Sequence, residues 1–235
     1  MNNADSLLVA TIKRLIPVTI KKSLRRQHRR YTFARAMKRY MTTRGVEDVT
    51  NDLLGELIYG WGNEGWSAKE EYIKEILRYA YKGTGPILEC GSGLSTILCG
   101  RAADKVGREI WTLEHMPFYA DLVNRTLKRY RIKAVRFHVK GLKDYGSFSW
   151  YDPPLEEMPR DFSMVVCDGP PGETPGGRYG FLPVMKEHLE SGCVILLDDA
   201  NRSSEAEILS LWAEQMGTKQ RIIGQGKQHG IVVVP

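Results

Sequence analysis

From residue 86 onward, short apolar segments alternate with segments of helical periodicity. The predicted strands cover residues 86–90, 109–113, 134–139, 162–167 and 193–197. The helical pattern covers residues 94–103, 117–130, 179–190 and 203–216, with Ser203 or Ser204 as the cap of the last helix. This alternation is typical of an α/β fold with a mostly parallel sheet. Residues 220–223 and 231–234 flank a glycine-rich turn, which predicts a closing β-hairpin and one antiparallel strand.

Charge is distributed unevenly along the chain. The first 46 residues hold twelve lysines and arginines against a single acid, Asp5, whereas the remainder is mildly acidic within a total of +6. Apolar residues at helical spacing predict two amphipathic helices in this basic arm; they are Leu8, Ile12, Leu15 and Ile16, then Phe33, Met37, Tyr40 and Met41. We therefore divide the sequence into a basic helical extension, residues 1–46, and an α/β domain, residues 47–235.

Three interpretations of the basic arm are open. It could be a helical cap with solvated charges, a helix resting on anionic lipid, or a nucleic-acid contact. Under the last two, four arginines between the two predicted helices would form a phosphate-attracting patch: Arg25, Arg26, Arg29 and Arg30.

Downstream of the basic arm, the pattern predicts a helix over 46–59, a loop rich in glycine and tryptophan, and a helix over 68–81 that Ser67 caps.

The four cysteines are scattered, and no CxxC pair is present. This spacing argues against a disulfide scaffold and a structural zinc site, and favours buried thiols. The apolar segments are too short to span a bilayer, and no secretory signal is evident. We expect a cytoplasmic protein, placed peripherally at the inner face of the membrane under the lipid interpretation.

Carboxylates follow the predicted strands at the end where α/β proteins bind ligands. Strand one ends in Glu89, Gly91 and Gly93, and strand two ends at Glu114. Strand four ends in Asp168, and strand five in Asp198 and Asp199. An acid after strand two can accept hydrogen bonds from ribose hydroxyls. The alternative is that these acids only form turns and helix caps.

The glycine spacing distinguishes two nucleotide classes. A dinucleotide site has a third glycine, where this chain has Thr96. Glu89 would repel a pyrophosphate but attract a cationic amino acid group. The pattern therefore favours a nucleoside ligand that carries a positive group and no phosphate.

These motifs resemble the class I S-adenosylmethionine-dependent methyltransferases over residues 60–235. The resemblance implies a Rossmann-like seven-stranded sheet of order 3-2-1-4-5-7-6, with the last strand antiparallel. It implies donor contacts through Glu89, Gly91, Gly93, Ser95, Glu114, His115, Leu142 and Asp168. The segments around Asp168, Arg178 and Asp199 are similar to a bacterial, often glycan-associated group of these enzymes.

A fainter likeness to the catechol O-methyltransferase type leaves a divalent metal ion such as Mg²⁺ open. In that type, carboxylates after strands four and five hold magnesium, and Asp168, Asp198 and Asp199 match those places. Pro171 stands where that type has a lysine base, which puts both metal use and catechol-like chemistry in doubt.

We expect methyl transfer to a hydroxyl of a small molecule or glycan, with Asp168 and Asp199 as candidates for base or ion ligand. Trp66, Arg178 and Tyr179 are the candidate substrate residues, while His188 is expected to be structural. An apolar or sugar-stacking wall could be formed by Trp61, Trp66, Trp150 and Tyr151, which could instead pack in the core or in a lid. The alternatives are an RNA or protein methyltransferase that uses the basic arm, and a non-catalytic nucleoside-binding scaffold.

Overall fold

The computed structural model describes residues 17–63 and 68–235. Within this part of the chain, residues 17–43 and 50–63 form one compact unit, and residues 44–49 and 68–235 form another. In the described ranges, no helix is both long and apolar enough to cross a membrane.

The smaller unit contains two helices, α1 (Val18–Thr42) and α2 (Asn51–Trp61). Thr50 caps α2, since its hydroxyl accepts a hydrogen bond from the Leu53 amide at 3.2 Å. The helices approach closely at Gly60, where a β-carbon would lie 2.6 Å from the Phe33 amide nitrogen. The small residue is therefore what lets α1 and α2 pack at this distance.

Two expectations for the N-terminal region are corrected. The four arginines from Arg25 to Arg30 do not separate two helices, because α1 runs continuously through them from Val18. The predicted helix over 46–59 is a 3₁₀ turn, Val46–Asp48, followed by α2, because Thr50 starts a new helix with its own cap. The helix predicted from Leu8 to Ile16 lies outside the described residues.

The larger unit is built on a seven-stranded mixed sheet with flanking helices. Its strands are β1 (Ile87–Cys90), β2 (Ile110–Glu114), β3 (Val135–Val139), β6 (Phe162–Cys167), β7 (Leu189–Leu197), β8 (Gln220–Ile223) and β9 (His229–Val233). Their order is β3-β2-β1-β6-β7-β9-β8, with β9 antiparallel to both neighbours. Counting only these seven strands, this is the predicted order 3-2-1-4-5-7-6, so the fold prediction is confirmed.

The helices of this unit are α3 (Glu70–Lys82), α4 (Leu94–Val106), α5 (Pro117–Tyr130), α6 (Phe181–Met185) and α7 (Ser203–Met216). A short hairpin, β4 (Lys143–Asp144) with β5 (Ser149–Trp150), stands apart from the main sheet. Two 3₁₀ turns, Leu155–Glu157 and Lys186–His188, complete the connections. Strands β1 and β6 and the end of β7 carry mostly buried side chains, which make the sheet the centre of the core.

The predicted helix over 179–190 is wrong. α6 has five residues, a 3₁₀ turn follows, and β7 begins at Leu189 because Leu189 pairs with Phe162 of β6. The predicted serine cap of α7 is also wrong, since Arg202 is the N-cap and no side chain caps the helix. Ser67, the expected cap of α3, lies outside the described residues.

Candidate active site

The strand register brings the predicted strand ends to one edge of the sheet. Cys90 at the end of β1 pairs with Leu113 of β2 on one side and with Cys167 of β6 on the other. Cys167 in turn pairs with Leu197 of β7. Because parallel strands end at the same edge, the residues that follow these four strands converge there.

The turn after β1 depends on Gly91. Its φ of 92° lies in the left-handed region, and a β-carbon there would stand 3.2 Å from the Gly169 amide nitrogen and 3.5 Å from the Tyr151 hydroxyl. Gly93 differs, since its backbone is extended and a β-carbon would meet nothing within 4 Å. Gly91 is thus fixed by backbone geometry and crowding, whereas Gly93 leaves open space at the N-terminus of α4.

Glu89 is a buried carboxyl group next to this turn. One oxygen accepts a hydrogen bond from Ser95 at 2.8 Å and the other from Thr112 at 3.0 Å. Burial raises the pKa of Glu89 to about 7, although the hydrogen bonds from Thr96, Ser95 and Thr112 oppose the shift. Near neutral pH the group is therefore poised between its two protonation states and would ionise fully beside a cation.

Glu114 at the end of β2 joins two loops. Its carboxylate accepts hydrogen bonds from the amide and hydroxyl of Ser92 and from the amides of His115 and Met116, at 2.6–2.9 Å. Burial would raise the pKa of Glu114, but these hydrogen bonds outweigh it and lower the pKa below its ordinary value. Glu114 is thus ionised and holds the β1–α4 and β2–α5 loops together.

Tyr151, a candidate for a sugar-stacking wall or for the core, lies buried against the same turn. Its ring packs edge-on against His115 at 6.0 Å, and its side chain is 2% exposed. The hydroxyl has no hydrogen-bond partner among the described residues. Burial raises the pKa of Tyr151 well above its usual value, so the hydroxyl stays protonated and remains a hydrogen-bond donor.

The carboxylates after β6 and β7 form a cluster. Oxygens of Asp168, Asp198 and Asp199 lie within 4.8 Å of one another. Burial, with the charge of Asp198, raises the pKa of Asp168 to about 7 against the opposing effect of Arg178 and Lys227. A carboxylate with a pKa near neutrality can take a proton from a substrate and release it to solvent.

Arg178 is buried beneath this carboxylate cluster. Its guanidinium donates to the Asp198 carbonyl at 2.7 Å and the Asp168 carbonyl at 2.8 Å. It also lies 3.3 Å from carboxylate oxygens of Asp168 and Asp199. Arg178, a candidate substrate residue, thus contacts the local carboxylates in this structure.

Lys227 also contacts the carboxylate cluster, and sequence analysis missed it. Its ammonium lies 2.6 Å from Asp198 Oδ2 and 3.1 Å from Asp199 Oδ1. Lys227 is in the turn between β8 and β9, and the Ala200 amide donates to the Gln228 carbonyl of that turn at 2.8 Å. The available signal was a lysine just before the strand that pairs antiparallel with β7.

Asp199 adopts a backbone conformation that L-residues rarely take. Its φ is 61°, in the left-handed region, and its side chain is 7% exposed. Besides Arg178 and Lys227, Arg202 lies 3.1 Å from its carboxylate. Such local strain persists where surrounding contacts fix it, and here three cations surround the side chain.

The remaining candidate residues lie in other surroundings. Tyr179 packs against Phe148 at 5.6 Å, and its hydroxyl accepts a hydrogen bond from Gln215 of α7. Leu142 is partly buried against the core, and Trp150 is fully buried in it. His188 is buried, with Nδ1 2.7 Å from the Pro159 carbonyl, as expected for a structural histidine.

Two tryptophans of the glycine-rich segment complete the set. Trp61 belongs to the smaller unit, where it packs on Phe33 at 5.6 Å. Trp66 lies outside the described residues.

An open groove borders the β4–β5 hairpin. Its volume is about 790 Å³, and its walls include Lys143, Tyr145, Phe148, Asp152, Pro153 and Pro183. The Tyr145 hydroxyl donates to the Tyr151 carbonyl at 3.0 Å, so the hairpin is attached to the segment that reaches the β1 turn. Tyr145 and Phe148 are stacked, with an interplanar angle of 17°.

Solved structures share this architecture. An O-methyltransferase from Bacillus cereus, in complex with SAH, superposes with a TM-score of 0.56 and 14% identity, over 80% of this chain and 92% of that one. The O-methyltransferase TomG from Streptomyces achromogenes, in complex with SAM, gives 0.51 and 15%, over 72% and 81%. The chain has the fold of these methyltransferases.

The methyltransferase fold does not by itself define the acceptor. A precorrin-6Y C5,15-methyltransferase from Geobacter metallireducens also matches, with a TM-score of 0.52 and 15% identity over 71% of this chain and 88% of that one. No protein-family model and no curated protein matches the chain. The resemblance inferred from the strand-end motifs is thus confirmed for the fold, and the chemistry has to be argued from the site.

The carboxylate oxygens of the cluster lie close enough together to hold a divalent cation, but cationic side chains of the chain already contact them. A metal ion needs carboxylate oxygens that other cations leave available. Here Lys227 takes an oxygen of Asp198 and one of Asp199, and Arg178 takes one of Asp168. Each aspartate therefore already has a cationic partner, and a metal ion would have to displace Lys227 or bind against its charge. The residues as arranged do not fit a metal ion, and we derive no step through one.

Proposed function

We propose that this protein transfers a methyl group from S-adenosylmethionine to a hydroxyl group of a small molecule or glycan. The observation that carries the proposal is the convergence of Gly91, Glu114 and Asp168 at one edge of a sheet with the methyltransferase fold. The solved structures with this fold include O-methyltransferases in complex with SAM or SAH, which supports the same donor here.

The donor half of the site suits a nucleoside that carries a cationic amino acid group. Gly93 leaves open space for close approach of a ligand to the backbone, and the buried carboxyl of Glu89 lies next to the same turn. An ammonium group nearby would favour the ionised form of Glu89. Glu114 would accept a hydrogen bond from a ribose hydroxyl in exchange for that of the Ser92 hydroxyl.

The reaction requires alignment and removal of one proton. The acceptor oxygen attacks the methyl carbon as the carbon–sulfur bond breaks, and the bonding pair stays on sulfur to give a neutral thioether. The hydroxyl proton passes to the Asp168 carboxylate, whose pKa of about 7 suits a general base. Asp199, held among three cations, is better placed to position those cations than to accept the proton.

The groove beside the β4–β5 hairpin supports a small-molecule or glycan acceptor. Stacked aromatic rings and prolines offer apolar faces, and Asp152 and Lys143 offer polar groups at the rim. Sugar rings bind such surfaces through their apolar faces, with a few polar contacts to fix orientation. Tyr145 is the residue of the groove that we expect to contact the acceptor.

Calorimetric titration with S-adenosylmethionine and S-adenosylhomocysteine tests the donor site. We expect saturable binding by the full chain, lost in Glu114→Ala and kept in Glu207→Ala, which changes an exposed glutamate on α7. A screen of hydroxylated acceptors with methyl-labelled donor then tests transfer. Absence of donor binding would overturn the proposal, and donor binding without any turnover would favour the scaffold alternative.

We also propose that α1 rests on an anionic membrane surface. Ile20, Leu24 and Tyr31 are exposed and fall within about 40° of one another at 100° per residue. The buried residues of α1, such as Ala36 and Tyr40, lie on the opposite side of the helix. The helix sequence has no acid, and exposed cations along it suit anionic headgroups; they include Lys21, Arg30 and Lys38.

Co-sedimentation with vesicles tests this placement. The full chain should sediment with phosphatidylglycerol-containing vesicles and not with phosphatidylcholine alone. The double variant Leu24→Gln with Tyr31→Ser should lose most of the binding, while Leu211→Gln, which changes an exposed leucine on α7, should retain it. No vesicle binding, with salt-dependent RNA binding instead, would favour the nucleic-acid alternative.

A further inference from the structure

The strongest unexplained feature of the site is the ammonium of Lys227 among the strand-end carboxylates. It is within hydrogen-bond distance of Asp198 and Asp199, which follow β7 directly. Its side chain is 21% exposed, whereas that of Asp198 is 1% exposed. A lysine ammonium is strongly hydrated and usually stays in solvent. The β8–β9 turn instead places this ammonium beside two carboxylates of the site.

The three aspartates of the carboxylate cluster are paired with an equal number of cationic side chains from the same chain. Three cationic side chains, Arg178, Arg202 and Lys227, contact the three aspartates at distances of 2.6–3.3 Å. A divalent ion bound by Asp198 and Asp199 would compete with Lys227 for the same oxygens and would repel its ammonium. Lys227 therefore occupies the position where a metal ion would bind.

We propose that Lys227 is a built-in cation that replaces a divalent metal ion at the acceptor site of this methyltransferase. The catalytic part of this inference rests on the proposed function. As Asp168 takes the acceptor proton and the acceptor oxygen gains negative charge, the ammonium stabilises that charge electrostatically. Lys227 does not act as the base, because the neighbouring aspartates outweigh its burial and raise its pKa.

A titration with Mn²⁺ alone, in the absence of donor, tests the replacement directly. Wild-type protein should show no saturable Mn²⁺ binding, while Lys227→Met should acquire one site per chain. Asp198 Oδ1 has no donor among the described residues, so loss of Lys227 leaves the buried carboxylate without a cation and ready to bind a metal ion. Lys227→Arg, which keeps the charge, and Lys219→Met, an exposed lysine, should behave as wild type.

If Lys227→Met is too unstable for a titration, its thermal unfolding with and without Mn²⁺ tests the same inference. Mn²⁺ should raise the melting temperature of this variant and leave that of wild type unchanged, since a ligand stabilises the state that binds it. Saturable Mn²⁺ binding by wild type, or no gain of binding and no rescue in Lys227→Met, would overturn the inference. Neither readout needs S-adenosylmethionine, so a failed donor titration counts against the proposed function and not against this inference.

Discussion

The hydroxyl of Tyr151 packs over Gly169 so closely that a β-carbon at position 169 would overlap it. The same hydroxyl faces Gly91 across the turn after β1. Two glycines from different strand ends thus make room for one phenol. Because that phenol has no partner in the described chain, it is a buried hydrogen-bond donor left unpaired beside the turn after β1.

Tyr151→Phe should therefore weaken donor or acceptor binding without harming the fold. An unpaired buried hydroxyl costs about 1–3 kcal/mol, so its removal should leave the free energy of unfolding unchanged or increase it. Ligand titration and thermal unfolding measure the two effects. Tyr81→Phe is the matched control, since its hydroxyl is also buried and unpartnered but lies on α3. Equal ligand affinity in wild type and Tyr151→Phe would contradict this role.

Glu89→Gln should stabilise the free protein at pH 8 and weaken donor binding. The pKa of Glu89 is about 7 in the folded chain against an ordinary 4.5, so the unfolded chain gives up this proton at lower pH. Wild-type stability therefore falls as the pH rises from about 4.5 to about 7, by roughly 3 kcal/mol. Urea unfolding at pH 5 and pH 8 should show the variant's advantage growing with pH. Glu187→Gln, an exposed control, should show no such trend, and the prediction fails if Glu89→Gln behaves like it.

Asp168→Asn should abolish most of the methyl transfer while leaving donor affinity within a few-fold of wild type. Loss of a general base lowers kcat by about 10²–10⁴. Because the pKa of Asp168 is about 7, wild-type kcat/KM should rise with pH through neutrality as the base ionises. A rate profile measured for both proteins checks this. Persistence of the same rising limb in Asp168→Asn would assign it to another group.

Gly91→Ala and Gly93→Ala should differ in their effect on stability. Gly91 has a φ of 92° and close neighbours, so alanine there should cost about 1–3 kcal/mol. Gly93 is extended with open space, so alanine there should cost less than about 1 kcal/mol. Chemical denaturation of both variants gives the comparison. Similar losses at the two positions would show that the turn is not as the structure has it.

Sequence was sufficient for the features that local patterns encode. Alternation of apolar and helical segments predicted a mostly parallel sheet, and the family resemblance implied its strand order. Acids after strands predicted the edge of the sheet at which Glu114 and Asp168 lie. The apolar pattern of a strand and the acid that follows it are both local signals, because each is recognised within a window of about ten residues.

The features that sequence missed come from tertiary neighbours. Lys227 follows Asp198 by 29 positions and meets it only because β9 pairs with β7. Sequence names Tyr151 as a wall or core residue, but its contact with Gly169 depends on the β4–β5 hairpin, for which no pattern was recognised. The error over 179–190 has the same origin, because pairing of Leu189 with Phe162 overrides helical periodicity.

The position of Lys227 also bears on how such a protein can diversify. A turn between two terminal strands tolerates exchange of residues more readily than the strand ends that carry the aspartates. Loss of one lysine there would remove the cation that contacts Asp198 and Asp199 and so open the cluster to a metal ion, and its gain would reverse the change. Exchange of a bound metal ion for a lysine ammonium would then require the change of a single codon, and the residues in the core of the sheet would stay the same.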